Sequence, residues 1–168
     1  MRRLGFFLAV AVVTVAMIAL VTASVMAQSL TGLDANLTGK AEVLGAGDSP
    51  GDKDGSGTAY VTLIPSQSRL CYSLEVSDIA PATKARIHQG ASKQAGPTIV
   101  ELDPPTQEEG TSSGCTGVNT ALLRSLLERP QDYYVEIYNK DFPDGALRGQ
   151  LSETEGSSFR VPNPDKSS

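Results

Sequence analysis

Short runs in which apolar and polar residues alternate constrain the fold of this chain more than any other feature. In one of them, Ala59, Val61 and Leu63 alternate with threonine and tyrosine. Because successive side chains of a β-strand point to opposite faces, each such run predicts a strand with one buried face. The predicted strands cover residues 37–44, 58–64, 70–76, 84–89, 98–102, 133–138 and 146–151, with a further short strand near residues 30–33.

One short helix is predicted between the strands, at residues 120–128. Asn119 is a suitable N-cap, four leucines follow within the segment, and Pro130 ends it. Residues 103–117 form a polar segment that we interpret as a long loop. Many short strands separated by turns, with a single helix, predict an all-β fold, namely an antiparallel β-sandwich or barrel.

Residues 1–27 have the layout of a secretory signal peptide. Two arginines near the start precede an apolar run over residues 4–21, and the small residues Val25 and Ala27 then form a cleavage site before Gln28. The run is close to the ~18 residues that span a bilayer, so an uncleaved anchor is the alternative. We therefore expect a secreted or extracytoplasmic protein, which contacts the membrane only if this segment is retained.

The rest of the chain is predicted to form one β domain over residues 28–152, followed by a flexible polar tail over residues 153–168. On export, Cys71 and Cys115 reach an oxidising compartment, where we expect them to form a disulfide. Closing a loop across the 44 positions between them stabilises a chain by about 4 kcal/mol in the chain-entropy model. Two isolated cysteines lack the C-x-x-C spacing of a zinc site.

The composition excludes several classes of function. The net charge of −5 argues against a basic nucleic-acid binder, and the single histidine, His88, excludes a His-rich metal site and any mechanism that needs two histidines in one chain. No G-x-S-x-G motif surrounds a serine, and no Gly-rich phosphate loop precedes the helix. We therefore expect no enzyme activity, and the acidic residues leave a hydrolase acting on an extracellular polymer as a minor alternative.

Residues 52–57 resemble the opening of a calcium-binding loop, in which alternate oxygen ligands converge on the ion. The bidentate glutamate of such loops is missing, because the twelfth position counted from Asp52 is the apolar Leu63. A glycine-rich connection between strands is the preferred interpretation.

Five polar residues on the predicted strands form a candidate surface patch. Arg86 and His88 lie two apart on one strand, Glu136 and Tyr138 lie two apart on another, and Arg148 is placed to join them. If the strands are neighbours, the side chains share one outward face. That face is then either a small binding site or a solvated sheet surface with an Arg86–Glu136 ion pair worth under ~1 kcal/mol.

Several motifs resemble the chordin-type CHRD domain family, in particular its exported single-domain bacterial members. The similarity extends from about residue 30 to residue 151, nearly the whole mature chain. It implies an extracellular β-sandwich or barrel, similar in outline to superoxide-dismutase-like and immunoglobulin-like folds. In chordin such domains belong to a protein that binds growth factors, whereas for the bacterial members the family implies no settled activity. The motifs are ARIHQG at 85–90, YYVEIY at 133–138, FPDGALRGQL at 142–151, and Leu37-Thr38-Gly39 followed by Glu42.

The chain departs from the family pattern at two positions. The family strand usually reads A-H-I-H-x-G and a later strand usually carries a histidine, whereas this sequence has Arg86 and Tyr138 there and retains only His88. A guanidinium two residues from the imidazole repels a divalent ion and cannot lose its charge, so we expect no metal and no other cofactor. The exchange could instead give an Arg-centred site for a carboxylate or sugar, or a structural pair with Glu136.

The leading hypothesis is therefore a non-enzymatic binding or structural module at the cell exterior, whose partner is an extracellular protein or glycan of unknown identity. The alternative is a metal-binding or redox protein of superoxide-dismutase-like shape with a degenerate histidine site, which His88 suggests.

Overall fold

The computed structural model describes residues 31–43, 51–106 and 110–154. The expected signal peptide at residues 1–27 and all but the first residues of the expected tail lie outside these ranges. The described chain contains β1 (Thr31–Thr38), β2 (Ser56–Ile64), β3 (Arg69–Ser77), β4 (Ala82–Gln89), β5 (Thr98–Leu102), β6 (Thr111–Gly117), α1 (Thr120–Glu128), β7 (Tyr133–Asn139), β8 (Leu147–Gln150) and β9 (Ser152–Glu153). Short 3-10 helices occupy Gly39–Ala41, Pro65–Gln67 and Pro130–Asp132.

The strands form one antiparallel sheet that curls into a nearly closed barrel. Its order is β5-β4-β7-β8-β1-β2-β3-β6, and β9 also pairs with β1. The edge strands approach each other at Asp103, just after β5, where the hydroxyls of Tyr72 and Ser112 donate to its carboxylate and its backbone carbonyl, each at 2.8 Å. Side chains thus bridge the gap between β5 and β6. The predicted all-β fold with one short helix is confirmed.

The apolar positions of the alternating runs fill the interior of the barrel. In β2, Ala59, Val61 and Leu63 are completely buried. Removing such side chains from water is the main favourable contribution to folding, which is why the two-residue period predicted these strands.

The helix α1 occupies the predicted residues. The Asn119 side chain accepts the N–H of Leu122 at 2.8 Å, which satisfies a backbone donor that the first helical turn leaves unpaired. On the inner side of the helix, Leu123 and Leu126 are buried against the barrel. Capping and apolar spacing were therefore sufficient to place this helix.

One loop prediction and one strand boundary were wrong. The segment at residues 103–117 is not one loop, because β6 occupies its second half and pairs with β3. The small polar residues of β6 lack the alternation that marks a strand with one buried face. The strand expected at 37–44 ends at Thr38, because the chain turns at Gly39, whose carbonyl accepts the N–H of Gly51 at 3.1 Å.

The predicted disulfide is confirmed: Cys71 of β3 and Cys115 of β6 are cross-strand partners with Cα atoms 3.9 Å apart. It joins two paired strands, rather than a strand and a loop as expected, and so fastens the edge strand β6 to the sheet. At the other end of the fold, β9 extends to Glu153, one residue into the expected tail, and Glu153 pairs with Leu33.

Among the residues that the structure describes, no helix has both the length and the apolar character needed to cross a membrane.

Candidate functional site

A row of alternating charges crosses four neighbouring strands in register. Glu101 of β5 pairs with Arg86 of β4, Arg86 pairs with Glu136 of β7, and Glu136 pairs with Arg148 of β8. Residues directly opposite each other in paired strands lie on the same face of a sheet, and so do residues two apart on one strand. The residues of the candidate patch therefore share one face: Arg86, His88, Glu136, Tyr138 and Arg148.

This face is not the solvent-exposed surface that we expected. Arg148 is 2% exposed, His88 and Glu136 are 6% exposed, and Tyr138 is 8% exposed. Arg86, with 27% of its side chain exposed, is the member that reaches solvent. The expectation failed because strand periodicity shows only which residues share a face. Whether that face is exposed to solvent depends on segments distant in sequence that pack over it.

His88 is held by both of its ring nitrogens. Nδ1 lies 2.9 Å from the carbonyl oxygen of Gly96, and because a carbonyl can only accept, Nδ1 carries a hydrogen. Nε2 lies 2.9 Å from the Tyr138 hydroxyl and 3.2 Å from Glu136 Oε2. The ring also stacks on Tyr134, with centroids 5.0 Å apart and an interplanar angle of 8°. The imidazole is therefore fixed in position and orientation.

The Tyr138 hydroxyl has one hydrogen and two acceptors within reach, since Glu136 Oε2 lies 2.6 Å away and His88 Nε2 lies 2.9 Å away. When the hydroxyl donates to Glu136, its own lone pair is open to an N–H on His88 Nε2. Burial, together with the hydrogen bond to Glu136, raises the pKa of Tyr138. We call His88, Glu136 and Tyr138 the polar cluster.

Arg148 is buried beside the polar cluster and is used for structure. Its Nη2 donates to the carbonyls of Ala91 at 3.1 Å and Gln94 at 2.9 Å, and its guanidinium carbon lies 3.4 Å from the centroid of the Tyr134 ring. No carboxylate in the described ranges lies within ion-pair distance of it. Arg148 thus fastens the loop after β4 to β8.

Glu42, which the sequence analysis did not select as a site residue, lies beside the polar cluster. Both of its carboxyl oxygens are buried, and neither has a hydrogen-bond partner of normal geometry in the described part of the chain. A Cβ atom at Gly145 would lie 2.5 Å from Glu42 Oε2 and 2.7 Å from Glu136 Oε1, so the two carboxyl groups meet beside Gly145. Burial, and then the charge of Glu136, raise the pKa of Glu42 to about 9. The sequence signal that could have identified Glu42 as a site residue was the family motif that contains it.

A cleft of about 380 Å³ opens onto the polar cluster. The Tyr134 hydroxyl on its wall accepts the N–H of Gly96 at 3.2 Å and has no acceptor for its own hydrogen among the described residues. Asp144, from the turn before β8, is exposed. The polar lining of the cleft comes from His88, Tyr134, Glu136, Tyr138 and Asp144.

The Arg86 guanidinium pairs with Glu101, and not with Glu136 as one of the two interpretations of the sequence proposed. Its Nε lies 3.0 Å from Glu101 Oε2, and this hydrogen bond raises the pKa of Arg86. The guanidinium carbon lies 5.4 Å from the centroid of the Tyr138 ring. Because the Glu101 side chain is 64% exposed, the pair contributes under ~1 kcal/mol.

The segment that resembles a calcium loop has a local structural role. The Asp52 carboxylate accepts the N–H groups of Asp54 and Gly55, each at 3.3 Å, which organises the turn before β2. Leu63, at the place of the missing glutamate, is buried. Within the described ranges, no group of three or more His, Cys, Asp or Glu residues is arranged to hold a metal ion.

The fold and the site together define a barrel-like antiparallel β domain with a disulfide-fastened edge strand and a polar cleft at one end. The chain belongs to the CHRD domain family, whose model matches residues 33–151, from β1 to the residue after β8. This span includes Glu42 and every residue of the polar cluster. No curated protein and no solved structure was found to match the chain.

Proposed function

We propose that this protein is an exported, non-enzymatic module that binds a hydroxyl-bearing group of an exterior glycan in the cleft beside the polar cluster. The observation that carries the proposal is the cleft itself, which offers the Tyr134 O–H, for which the described residues provide no acceptor, and the exposed carboxylate of Asp144. A sugar hydroxyl both donates and accepts hydrogen bonds, so it complements this pair. The volume lies at the lower end of the ~300–1,000 Å³ range of ligand pockets.

The residues that line the cleft favour binding over catalysis. The described lining contains no serine, threonine, cysteine or lysine to act as a nucleophile, and of its two carboxylates Glu136 is held by Tyr138 while Asp144 is exposed. Both ring nitrogens of His88 lie within hydrogen-bond distance of groups of the protein itself, namely the Gly96 carbonyl and the Tyr138 hydroxyl. Membership of the CHRD domain family agrees with a module of this kind.

Export is supported by two independent features of the chain. The disulfide between Cys71 and Cys115 is of the kind that persists in oxidising compartments, and residues 1–27 have the layout of a signal peptide. N-terminal sequencing of the protein recovered outside the cytoplasm is expected to start at Gln28. A start at Met1 would contradict cleavage, and recovery only from the cytoplasm would contradict export.

A glycan array probed with the mature protein tests the binding proposal. We expect selective binding to neutral glycans that is weakened about tenfold or more by Tyr134→Phe and by Asp144→Asn, because each removes one hydrogen-bonding partner. Asp141→Asn is the matched control, since Asp141 is exposed on the same turn but does not line the cleft. No glycan binding, or binding that neither cleft variant changes, would overturn the proposal.

A further inference from the structure

We infer that Glu42 and Glu136 hold one proton between them, and that this proton fastens the segment from Gly39 to Val43 to the part of the barrel that carries the polar cluster. The inference concerns the protein without any ligand, so it stands apart from the proposed glycan binding.

The positions of the two carboxyl groups point to a proton between them. Glu136 Oε2 accepts from Tyr138 and lies 3.2 Å from His88 Nε2, whereas Glu136 Oε1 and Glu42 Oε2 both lie close to Gly145. Both Glu42 oxygens are buried, and neither has a hydrogen-bond partner of normal geometry in the described ranges. The N–H of the neighbouring Val43 lowers the pKa of Glu42, but by less than burial and the charge of Glu136 raise it. Two ionised carboxylates would repel each other strongly in this water-poor position. One proton on Glu42 converts the repulsion into an O–H···O⁻ hydrogen bond.

The other groups that face Glu42 do not replace this proton. Arg148 of β8 acts on Glu42 only at longer range, because its guanidinium is committed to two backbone carbonyls and to a tyrosine ring. Gly51 packs against the Glu42 side chain and contributes only backbone. Among the described residues, the remaining titratable groups that line the cleft, on β4, β7 and the turn before β8, are His88, Tyr134, Tyr138 and Asp144.

The shared proton ties together segments that backbone hydrogen bonds also join. The carbonyl of Gly39 accepts the N–H of Gly51 at 3.1 Å, and the carbonyl of Ala146 accepts the N–H of Asp52 at 2.8 Å. Val43, next to Glu42, lines the cleft. Loss of the proton drives the Glu42 carboxylate towards water, so it loosens these contacts and moves one wall of the cleft.

The stability of the fold therefore depends on pH in a defined direction. Burial and Glu136 raise the pKa of Glu42 from 4.5 to about 9, so the folded protein keeps a proton that the unfolded chain releases. Stability from this group is fully present below about pH 4.5 and is lost as the pH rises towards about 9. For one proton, the unfolding equilibrium constant rises up to about tenfold per pH unit in that interval.

The variant Glu42→Gln tests the inference, because its amide can donate to Glu136 but does not titrate. We measure urea unfolding of the mature protein between about pH 5 and about pH 9. The unfolding equilibrium constant is expected to rise with pH in the wild type, and this rise is expected to be absent in Glu42→Gln. Glu75→Gln, at an exposed position of β3, is the matched control and is expected to keep the wild-type dependence. An identical pH dependence in the wild type and in Glu42→Gln would overturn the inference.

Infrared spectroscopy of the wild type gives a second readout, which stands even if Glu42→Gln does not fold. At neutral pH we expect the carbonyl band of one protonated carboxylic acid, and we expect it to disappear near pH 9. As it disappears, hydrogen exchange at Gly51 and Asp52, corrected for the intrinsic rate, is expected to accelerate. Absence of the band at neutral pH would overturn the shared proton. Unchanged exchange protection after its loss would overturn the fastening role.

Discussion

The Tyr138 hydroxyl donates a 2.6 Å hydrogen bond to Glu136, two residues earlier on the same strand. The cross-strand neighbour of Glu136, Arg86, turns away to Glu101 instead. The neutral hydroxyl of Tyr138 is therefore the partner of Glu136, in place of the Arg86–Glu136 ion pair that one interpretation of the sequence proposed. Tyr138 also connects Glu136 to the imidazole of His88. Tyr138 is 8% exposed, so its hydroxyl makes this hydrogen bond in a largely buried position.

We predict that Tyr138→Phe lowers the free energy of unfolding by ~1–3 kcal/mol, because a buried charged acceptor loses its donor. Tyr133→Phe makes the same change on the same strand, at a hydroxyl with no hydrogen bond among the described residues. It is expected to stay within about 0.5 kcal/mol of the wild type. Urea unfolding at neutral pH compares the two variants, and equal effects would show that the Tyr138 bond is not stabilising.

Arg148 and Arg86 lie on the same face of the sheet but should respond differently to substitution by lysine. Arg148→Lys is expected to cost about 2 kcal/mol or more, because lysine lacks the planar group that stacks on Tyr134 while it donates to two carbonyls. Arg86→Lys keeps a largely exposed pair with Glu101, so its expected cost is under ~1 kcal/mol. Thermal unfolding of both variants checks the order, and a larger loss for Arg86→Lys would contradict it.

Gly145 is the residue that lets the two carboxyl groups meet. Its φ of +139° is unfavourable for any side chain, and an added Cβ would lie 2.5 Å from Glu42 Oε2 and 2.7 Å from Glu136 Oε1. We predict that Gly145→Ala destabilises the protein by at least about 2 kcal/mol. Gly117→Ala is the control, since the nearest atom to its new Cβ would be 4.0 Å away. Similar stabilities of the two variants would refute the close packing at Gly145.

The disulfide should contribute stability beyond the pairing of β3 with β6. Replacing Cys71 and Cys115 together by alanine is expected to cost about 4 kcal/mol, because the unfolded chain regains the freedom of a loop of 44 positions. Reductant should destabilise the wild type by a similar amount and should leave the double variant unchanged. Resistance of the wild type to both treatments would mean that β6 is held by its hydrogen bonds alone.

The sequence predicted those elements whose side chains meet different environments on their two faces. β2 and β7 have fully buried aliphatic positions, and α1 has both a cap and a leucine stripe. β6 has neither, because its residues are small and polar, and the information that makes it a strand lies in β3 and in the disulfide. Local periodicity cannot report a strand that exists mainly because its neighbour pairs with it.

The candidate site was predictable in membership but not in environment. A spacing of two on each strand was enough to group Arg86 with His88 and Glu136 with Tyr138. Their burial depends on segments far away in sequence, such as the loop that Arg148 holds. Glu42 could not be found by periodicity, since it follows a 3-10 turn where a strand was expected, and it contacts Glu136 only in the folded chain.

The central claim is that the cleft beside the polar cluster is the binding surface of the protein. The most direct test is to follow backbone amide resonances of the mature protein while a glycan selected on the array is added. The account predicts saturable shifts at Ala95, Gly96 and Asp144, which are absent when Tyr134→Phe is titrated in the same way. Shifts confined to β2 and β3, away from the cleft, would contradict it.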